Sequence, residues 1–266
     1  MNPNTILSAV TDILRQAAKL MEREISVTEK DGAANLVTET DLAIQRFLQE
    51  QLAPLVPHCG FLCEENDVAD TQKEYVWIID PIDGTTNYIR GLPDCAISVA
   101  LAQGDTPLLG AVYAPRTDRM FTAVRGGGAH CNGQPIHVSN KRFDQSLLCT
   151  ALCLYQKELA RPCADILLEL HPKISDIRRL GSCALELCYL AMGLCDLYFE
   201  IRICPWDYAA AYLILTEAGG ILRGYRGARP NLRDLTLLVG ANNEENYRRL
   251  DAVVAAHIPE SPIYKE

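Results

Sequence analysis

The sequence predicts a mixed α and β chain whose N-terminal half is α+β, built on an antiparallel sheet, and whose C-terminal half is α/β. Three observations lead there. The β-rich runs at 96–102, 108–113, 120–124 and 135–138 are separated by turns holding Gly, Pro or Asp, the pattern of an antiparallel meander. Beyond about residue 140 the texture changes to alternation: strand 147–152, helix 156–170, strand 176–180, helix 182–192, strand 195–201 and helix 206–218. Strands at 220–222 and 237–241 and a closing helix at 244–256 follow. The expected organisation is therefore 1–140 and 141–266, meeting without a flexible linker.

Ahead of the meander, residues 5–24 carry apolar side chains at helical spacing (Ile6, Val10, Ile13, Leu14, Ala17, Leu20 and Met21), which predicts a helix with one buried face. Lys30-Asp31-Gly32 reads as a loop. Thr38 or Thr40 caps a second helix that runs through Ile44, Phe47 and Leu48 to Leu52 and is closed by Pro54 and Pro57. A short apolar run then ends in Glu64-Glu65, and a longer one, 75–79, ends at Asp80.

Composition narrows the function. The chain has 266 residues, 48% hydrophobic and 22% charged, as in an ordinary globular enzyme with a sizeable core. Its net charge of −9 argues against nucleic acid and anionic membrane surfaces as partners. Residues 1–20 include Asp12, Arg15 and Lys19, unlike a signal peptide, and no run reaches the ~18 apolar residues of a membrane helix. The 11 cysteines are odd in number, form no Cys-x-x-Cys and fall partly in apolar runs, so reduced thiols in a cytoplasmic protein are expected. His58, Cys59 and Cys63 are neighbours, but their spacing matches no usual zinc site. Arg125-Gly-Gly-Gly128 lacks the Lys-Ser/Thr of a phosphate loop, and no Gly-x-Ser-x-Gly elbow supplies a serine nucleophile.

The chemistry centres on residues 77–88, Trp-Ile-Ile-Asp-Pro-Ile-Asp-Gly-Thr-Thr-Asn-Tyr. Asp80 and Asp83 stand at the mouth of a strand with no basic neighbour in the segment. Two carboxylates 4 Å apart repel by roughly 4 kcal/mol at an effective dielectric of about 20, so they share a proton or hold a cation, and a hard divalent metal suits them. Gly84, Thr85 and Thr86 then open a turn whose free amides suit a phosphate. Taken alone, Asp-Pro-x-Asp-Gly is also an ordinary turn. Asp41 and Asp207 each fall at a helix start, where the helix dipole would equally explain them. Glu217, before Ala218-Gly219-Gly220, reads as a helix-end residue with a structural role.

Together these pieces resemble the inositol monophosphatase family of magnesium-dependent, lithium-sensitive phosphatases. The matching stretches are Leu-Val-Thr-Glu-Thr-Asp41, Glu64-Glu65, Trp-Ile-Ile-Asp80-Pro-Ile-Asp83-Gly-Thr-Thr-Asn87, and Trp206-Asp207-x-Ala-Ala with Glu217-Ala-Gly-Gly, in the family's order across most of the chain. The resemblance implies the sugar-phosphatase fold, layered α-β-α-β-α, and a homodimer. It implies two or three Mg2+ ions held by Glu64, Asp80, Asp83, Asp207 and the Ile82 carbonyl, with Thr85 paired to Asp41 beside the nucleophilic water. Glu64, Thr85 and Asp41 would be catalytic. Amides of Gly84 and Thr85 would hold the phosphate of a small phosphorylated substrate, to which Asp83 and Asp207 also lie close. Gly181, Ser182, Cys183, Ala184 and Glu200 would line the substrate alcohol.

Cys63, where members usually carry Gly, and Tyr88, where Phe is frequent, depart from the pattern without removing a ligand. Arg202 and Cys204 lie where members vary with substrate. The expected reaction is in-line attack of water on a phosphate monoester without a phospho-enzyme, most simply on inositol 1-phosphate. The alternatives within the superfamily are histidinol phosphate, a nucleotide 3′-phosphate, NADP or fructose 1,6-bisphosphate. A binding or scaffold protein without catalysis is the remaining reading, and the intact set of acids speaks against it.

Overall fold

The computed structural model describes residues 2–22, 27–29, 36–65, 70–152 and 157–258, with backbone only for 27–29, 36 and 37. The elements are α1 (Pro3–Ala18), β1 (Val27–Glu29), β2 (Leu36–Thr38), α2 (Glu39–Leu52), β3 (Gly60–Cys63), β4 (Tyr75–Asp83), α3 (Thr85–Arg90), β5 (Ala96–Gln103), β6 (Thr106–Ala114), β7 (Arg119–Val124), β8 (Ala129–Cys131) and β9 (Gln134–Pro135). There follow β10 (Leu147–Thr150), α4 (Ala160–Leu170), β11 (Asp176–Arg178), α5 (Cys183–Ala191), β12 (Leu197–Ile203), α6 (Pro205–Glu217), β13 (Ile221–Arg223), β14 (Thr236–Ala241) and α7 (Glu244–His257).

Five layers result. The apolar stripes of α1 and α2 (Val10, Leu14, Ile44, Leu48) pack with Trp77, Ile79, Val99 and Leu101 on one face of a seven-stranded sheet ordered β3-β4-β5-β6-β7-β8-β9. Helices α5 and α6 fill the space between that sheet and a five-stranded sheet ordered β11-β10-β12-β14-β13. Their surfaces are apolar nearly all round, as a helix with sheets on both sides requires. Helices α4 and α7 close the outer face of the second sheet through Ile166, Leu170, Leu250 and Val254. This is the α-β-α-β-α architecture expected.

Local differences have local causes. The strand expected at 135–138 is a hairpin, β8 with β9, turned by Asn132 (φ 50°) and Gly133 (φ 76°). Asn-Gly is a strong hairpin signal, because both turn residues need positive φ. The short β1–β2 ladder was not foreseen. Strand β4 continues through Pro81 to Asp83 instead of ending at Asp80. In the second sheet β14 is inserted antiparallel between β12 and β13, so it alone opposes the common direction of β10, β11, β12 and β13. The helix expected from 156 becomes α4 only at Ala160, after a single 3₁₀ turn, and residue 156 lies outside the described residues. So does the Lys30-Asp31-Gly32 loop.

Candidate active site

Strand β4 carries the centre of the site, and a bulge aims it. Alternation sends Trp77 and Ile79 to the core under α1 and α2, and Val76 and Ile78 to the core under α5 and α6. Continued regularly, it would put Asp80 and Asp83 on opposite faces. The pairing instead shifts by a residue, Asp80 opposite Ser98 but Asp83 opposite Ala96. Ile82 thereby joins the Trp77 face. Asp80 and Asp83 come to the other one together. The Ile82 amide donates to Asp80 Oδ1 at 2.9 Å and holds the bulge.

Asp207 reaches the same place from α6. Carboxylate oxygens of Asp80, Asp83 and Asp207 all lie within 4.8 Å of one another, the one such potential metal-ligand group among the described residues. Asp207 accepts the Cys204 amide at 3.0 Å, closing a capping box, so the helix start points its carboxylate inward. Asp41 is the equivalent residue of α2. Its Oδ2 accepts the Thr38 amide at 2.8 Å and the Thr38 hydroxyl, while its Oδ1 is buried without a partner. Glu64 follows β3, its amide bonded to the Ile79 carbonyl at 3.3 Å, and Gln45 of α2 takes the Glu65 amide at 3.0 Å.

The electrostatics are those of crowded acids. Burial first, then the charges of Glu64, Asp83, Asp207 and Asp41, push the Asp80 carboxyl well above the usual range. Asp207 is raised by burial and by Asp83, Glu64 and Glu200. Asp83 is pushed up to about 6 by burial, against hydrogen bonds from Ser182 and the Ala184 amide. Five acids thus gather from β4, α2, α6 and the end of β3, and among the described residues no cationic side chain draws the Asp80, Asp83 or Asp207 carboxyl back down. Such a cluster fits divalent cations, whose charge removes the repulsion and whose oxygen preference it meets. The orphaned Asp41 oxygen fits a water donor, since a buried acceptor without a partner costs about 1–3 kcal/mol.

The remaining expected residues are placed as follows. The Thr85 hydroxyl donates to the Ile82 carbonyl at 3.0 Å and not to Asp41, whose one bonded oxygen is taken by Thr38. Gly84 adopts φ 87° at the start of α3, where an added Cβ would meet the Asp94 carbonyl at 2.9 Å. The Ser182 hydroxyl and the Ala184 amide donate to Asp83 at 2.5 and 2.7 Å, so they brace a carboxylate rather than face open space. Tyr198 donates to Glu200 at 2.5 Å and lies 3.0 Å from the Cys183 sulfur. Burial pushes Glu200 up to about 7. Glu217 is structural, its two oxygens accepting the Gly126 and Gly128 amides at 2.7 and 2.9 Å and thereby fixing the glycine turn.

Two supporting residues were missed. Buried Glu186 accepts the Leu180 and Gly181 amides at 2.7 and 3.1 Å from inside α5. Asn87 holds the same loop from α3, donating to Leu180 and Asp94 carbonyls at 2.7 and 2.6 Å. A lone acid within the otherwise apolar Cys-Ala-Leu-Glu-Leu-Cys run was the available signal for Glu186. Every cysteine among the described residues is a free thiol, and no described helix is long and apolar enough to cross a membrane.

Known proteins share the fold and much of the sequence. "Nus factor SuhB" of Vibrio cholerae is 36% identical over 228 residues, 84% of this chain and 85% of that protein. "Inositol monophosphatase 1" of Solanum lycopersicum is 35% identical over 230 residues, 81% of this chain and 83% of that protein. The crystal structure of the extragenic suppressor protein suhB from Bartonella henselae superimposes with a TM-score of 0.86 at 27% identity, covering 94% of this chain and 98% of that one. The inositol monophosphatase family pattern matches residues 4–262, and with the layered fold and the acid cluster in place the chain belongs to that family of phosphoric monoester hydrolases.

Proposed function

We propose that this phosphatase hydrolyses a small phosphate monoester with Mg2+, inositol 1-phosphate being the substrate to try first. The observation that carries the reading is the convergence of Asp80, Asp83 and Asp207, with Glu64 and Asp41 adjoining. Glu64, Asp80, Asp83, Asp207 and the Ile82 carbonyl would hold two or three ions. Bound there, Mg2+ supplies Lewis-acid charge that acidifies water and neutralises the phosphoryl and leaving oxygens.

The chain's own residues then have defined tasks. Asp41 Oδ1, buried and unpartnered, accepts a proton of the attacking water and orients it. Thr85, fixed on the Ile82 carbonyl, offers its hydroxyl oxygen to the same water. The amides of Gly84 and Thr85 face the phosphate, where the left-handed Gly84 lets the backbone come close. Glu200 and the Gly181–Ala184 loop meet the alcohol, Glu200 being held in one rotamer by Tyr198. Ser182, the serine beside the acids, donates its hydroxyl to Asp83 and braces that carboxylate, which favours direct attack of water over a covalent intermediate. A homodimer, lithium sensitivity and a cytoplasmic location complete the proposal.

A second substrate class is favoured by one observation. The Arg179 charge acts on Glu200, and its Nη1 is 3.6 Å from where a Gly181 Cβ would stand, so a cation borders the alcohol side. A substrate with a second anionic group, such as NADP or fructose 1,6-bisphosphate, would use it. The test is phosphate release from a panel of esters with and without Mg2+, together with Asp80→Asn and Asp207→Asn. Loss of at least about 100-fold in either variant is expected, and near-parental turnover in both would overturn the reading.

A further inference from the structure

A basic cavity is lined by none of the five clustered acids. It has a volume of about 480 Å³ and sits between the end of α1, α3 and the turn after β6. Arg15, Lys19 and Arg116 line it, over the buried Tyr88 and Tyr113, and Glu22 is the one carboxylate in that lining. This is an unusual concentration of cations in a chain of net charge −9. Several arginines elsewhere are ion-paired, as in Arg142–Asp144, Arg223–Glu244 and Arg233–Asp105. No carboxylate among the described residues ion-pairs with Arg15, Lys19 or Arg116.

The cavity is also held in shape. The Arg15 guanidinium lies over the Tyr113 ring, 5.7 Å from its centroid. Arg116 Nη2 donates to the Tyr88 carbonyl at 3.2 Å, and the Tyr88 hydroxyl is anchored on the Met21 carbonyl at 3.1 Å. The Arg116 guanidinium on the Tyr88 carbonyl and the Arg15 guanidinium over Tyr113 are planar forks of the kind that match phosphate oxygens. Ala18, Met21 and Pro115 supply its apolar wall. Its volume falls within the usual ~300–1,000 Å³ of a small-ligand site.

We propose that this cavity binds a small organic phosphate, its anionic group on Arg15, Lys19 and Arg116 and its apolar portion against Met21 and Pro115. The site is separate from the catalytic pocket and goes beyond the hydrolytic reading. The two have opposite electrostatics. Stripped of metal, a pocket of five acids repels anions, whereas the basic cavity does not change.

That contrast supplies the test. Phenylphosphonate, which cannot be hydrolysed as an ester, is titrated calorimetrically into the full protein in EDTA at low salt. Saturable binding is expected, weakened at least about tenfold in the Arg15→Gln/Arg116→Gln double variant. The exposed-site variant Lys19→Glu, least able to disturb folding, should weaken it several-fold. Metal-free Asp80→Asn should bind as the parent does. Inorganic phosphate should bind more weakly than phenylphosphonate, and equal affinity would overturn the assignment of an organic body on Met21 and Pro115. Absence of binding up to about 10 mM, binding only when Mg2+ is restored, or binding indifferent to Lys19→Glu and the double variant would each overturn the site.

Discussion

Single residues here do two jobs at once. Asp41 and Asp207 satisfy free amides at the starts of α2 and α6, and the same carboxylates enter the acid cluster. Glu186 acts at one remove. It anchors the loop whose Ser182 and Ala184 fix Asp83, and its loss would leave two part-buried amides without their acceptor, at about 1 kcal/mol each. Glu186→Ala should therefore cost about 10–100-fold in Mg2+ activation or turnover, measured by titrating activity against Mg2+. Glu186→Gln keeps an acceptor oxygen and should restore most of it. Leu187→Ala, a core truncation on the same helix, should lower stability without moving the Mg2+ dependence.

Titration of the acids gives a second residue-scale expectation. Asp83 is raised by burial from 3.8 to about 6, and Glu200 by burial from 4.5 to about 7. Between the unfolded and folded values the folded protein holds the proton and the unfolded chain does not. Stability from these groups is thus complete below about pH 4 and is lost as pH rises through 6 to 7. For Asp83 the loss is on the order of 3 kcal/mol. In EDTA the thermal midpoint should fall over this range, Glu200→Gln should flatten its upper part, and Mg2+ at pH 8 should recover it. A midpoint that rises from pH 5 to 8 without metal would contradict the electrostatic account.

At the scale of elements, the β4 bulge and the α6 seat decide the geometry. Helix α6 lies so close to β6 that a Cβ on Gly110 would stand 2.6 Å from the Ala210 carbonyl. Backbone cannot yield as a side chain can, so Gly110→Ala should cost about 1–3 kcal/mol by denaturant unfolding. It should also reduce activity in the surviving folded protein, because α6 carries Asp207. Gly104→Ala would meet nothing within 4 Å and controls for the space, though not for its own φ of 55°.

For the whole molecule, the middle layer joins the halves. Helices α5 and α6 share one core cluster with strands of both sheets, from Val76 and Phe121 to Tyr198 and Leu238. The proposed halves 1–140 and 141–266 should consequently unfold together. The two tryptophans report on it: Trp77 is buried beneath α1 and α2, whereas Trp206 packs against the middle core. In Trp77→Phe and Trp206→Phe, each retaining one reporter, urea transitions should coincide. Trp77 loses no hydrogen bond in this change, since its Nε1 has none. Two separated midpoints would show independent halves.

What could be read from the chain alone was whatever short-range chemistry controls. Helical stripes, the meander, the strand running into Asp80, and helix starts at Asp41 and Asp207 all follow from residues a few positions apart. The acids were legible as a set only through the resemblance, because locally each had an ordinary explanation as a cap or a turn. Tertiary structure decided the rest. The bulge that turns Asp83 to the side of Asp80, the insertion of β14, the loop support from Glu186 and the basic cavity at the end of α1 depend on sheet order and layer contacts. Such contacts join segments far apart in the chain, and no periodicity within either segment encodes which partner it will meet.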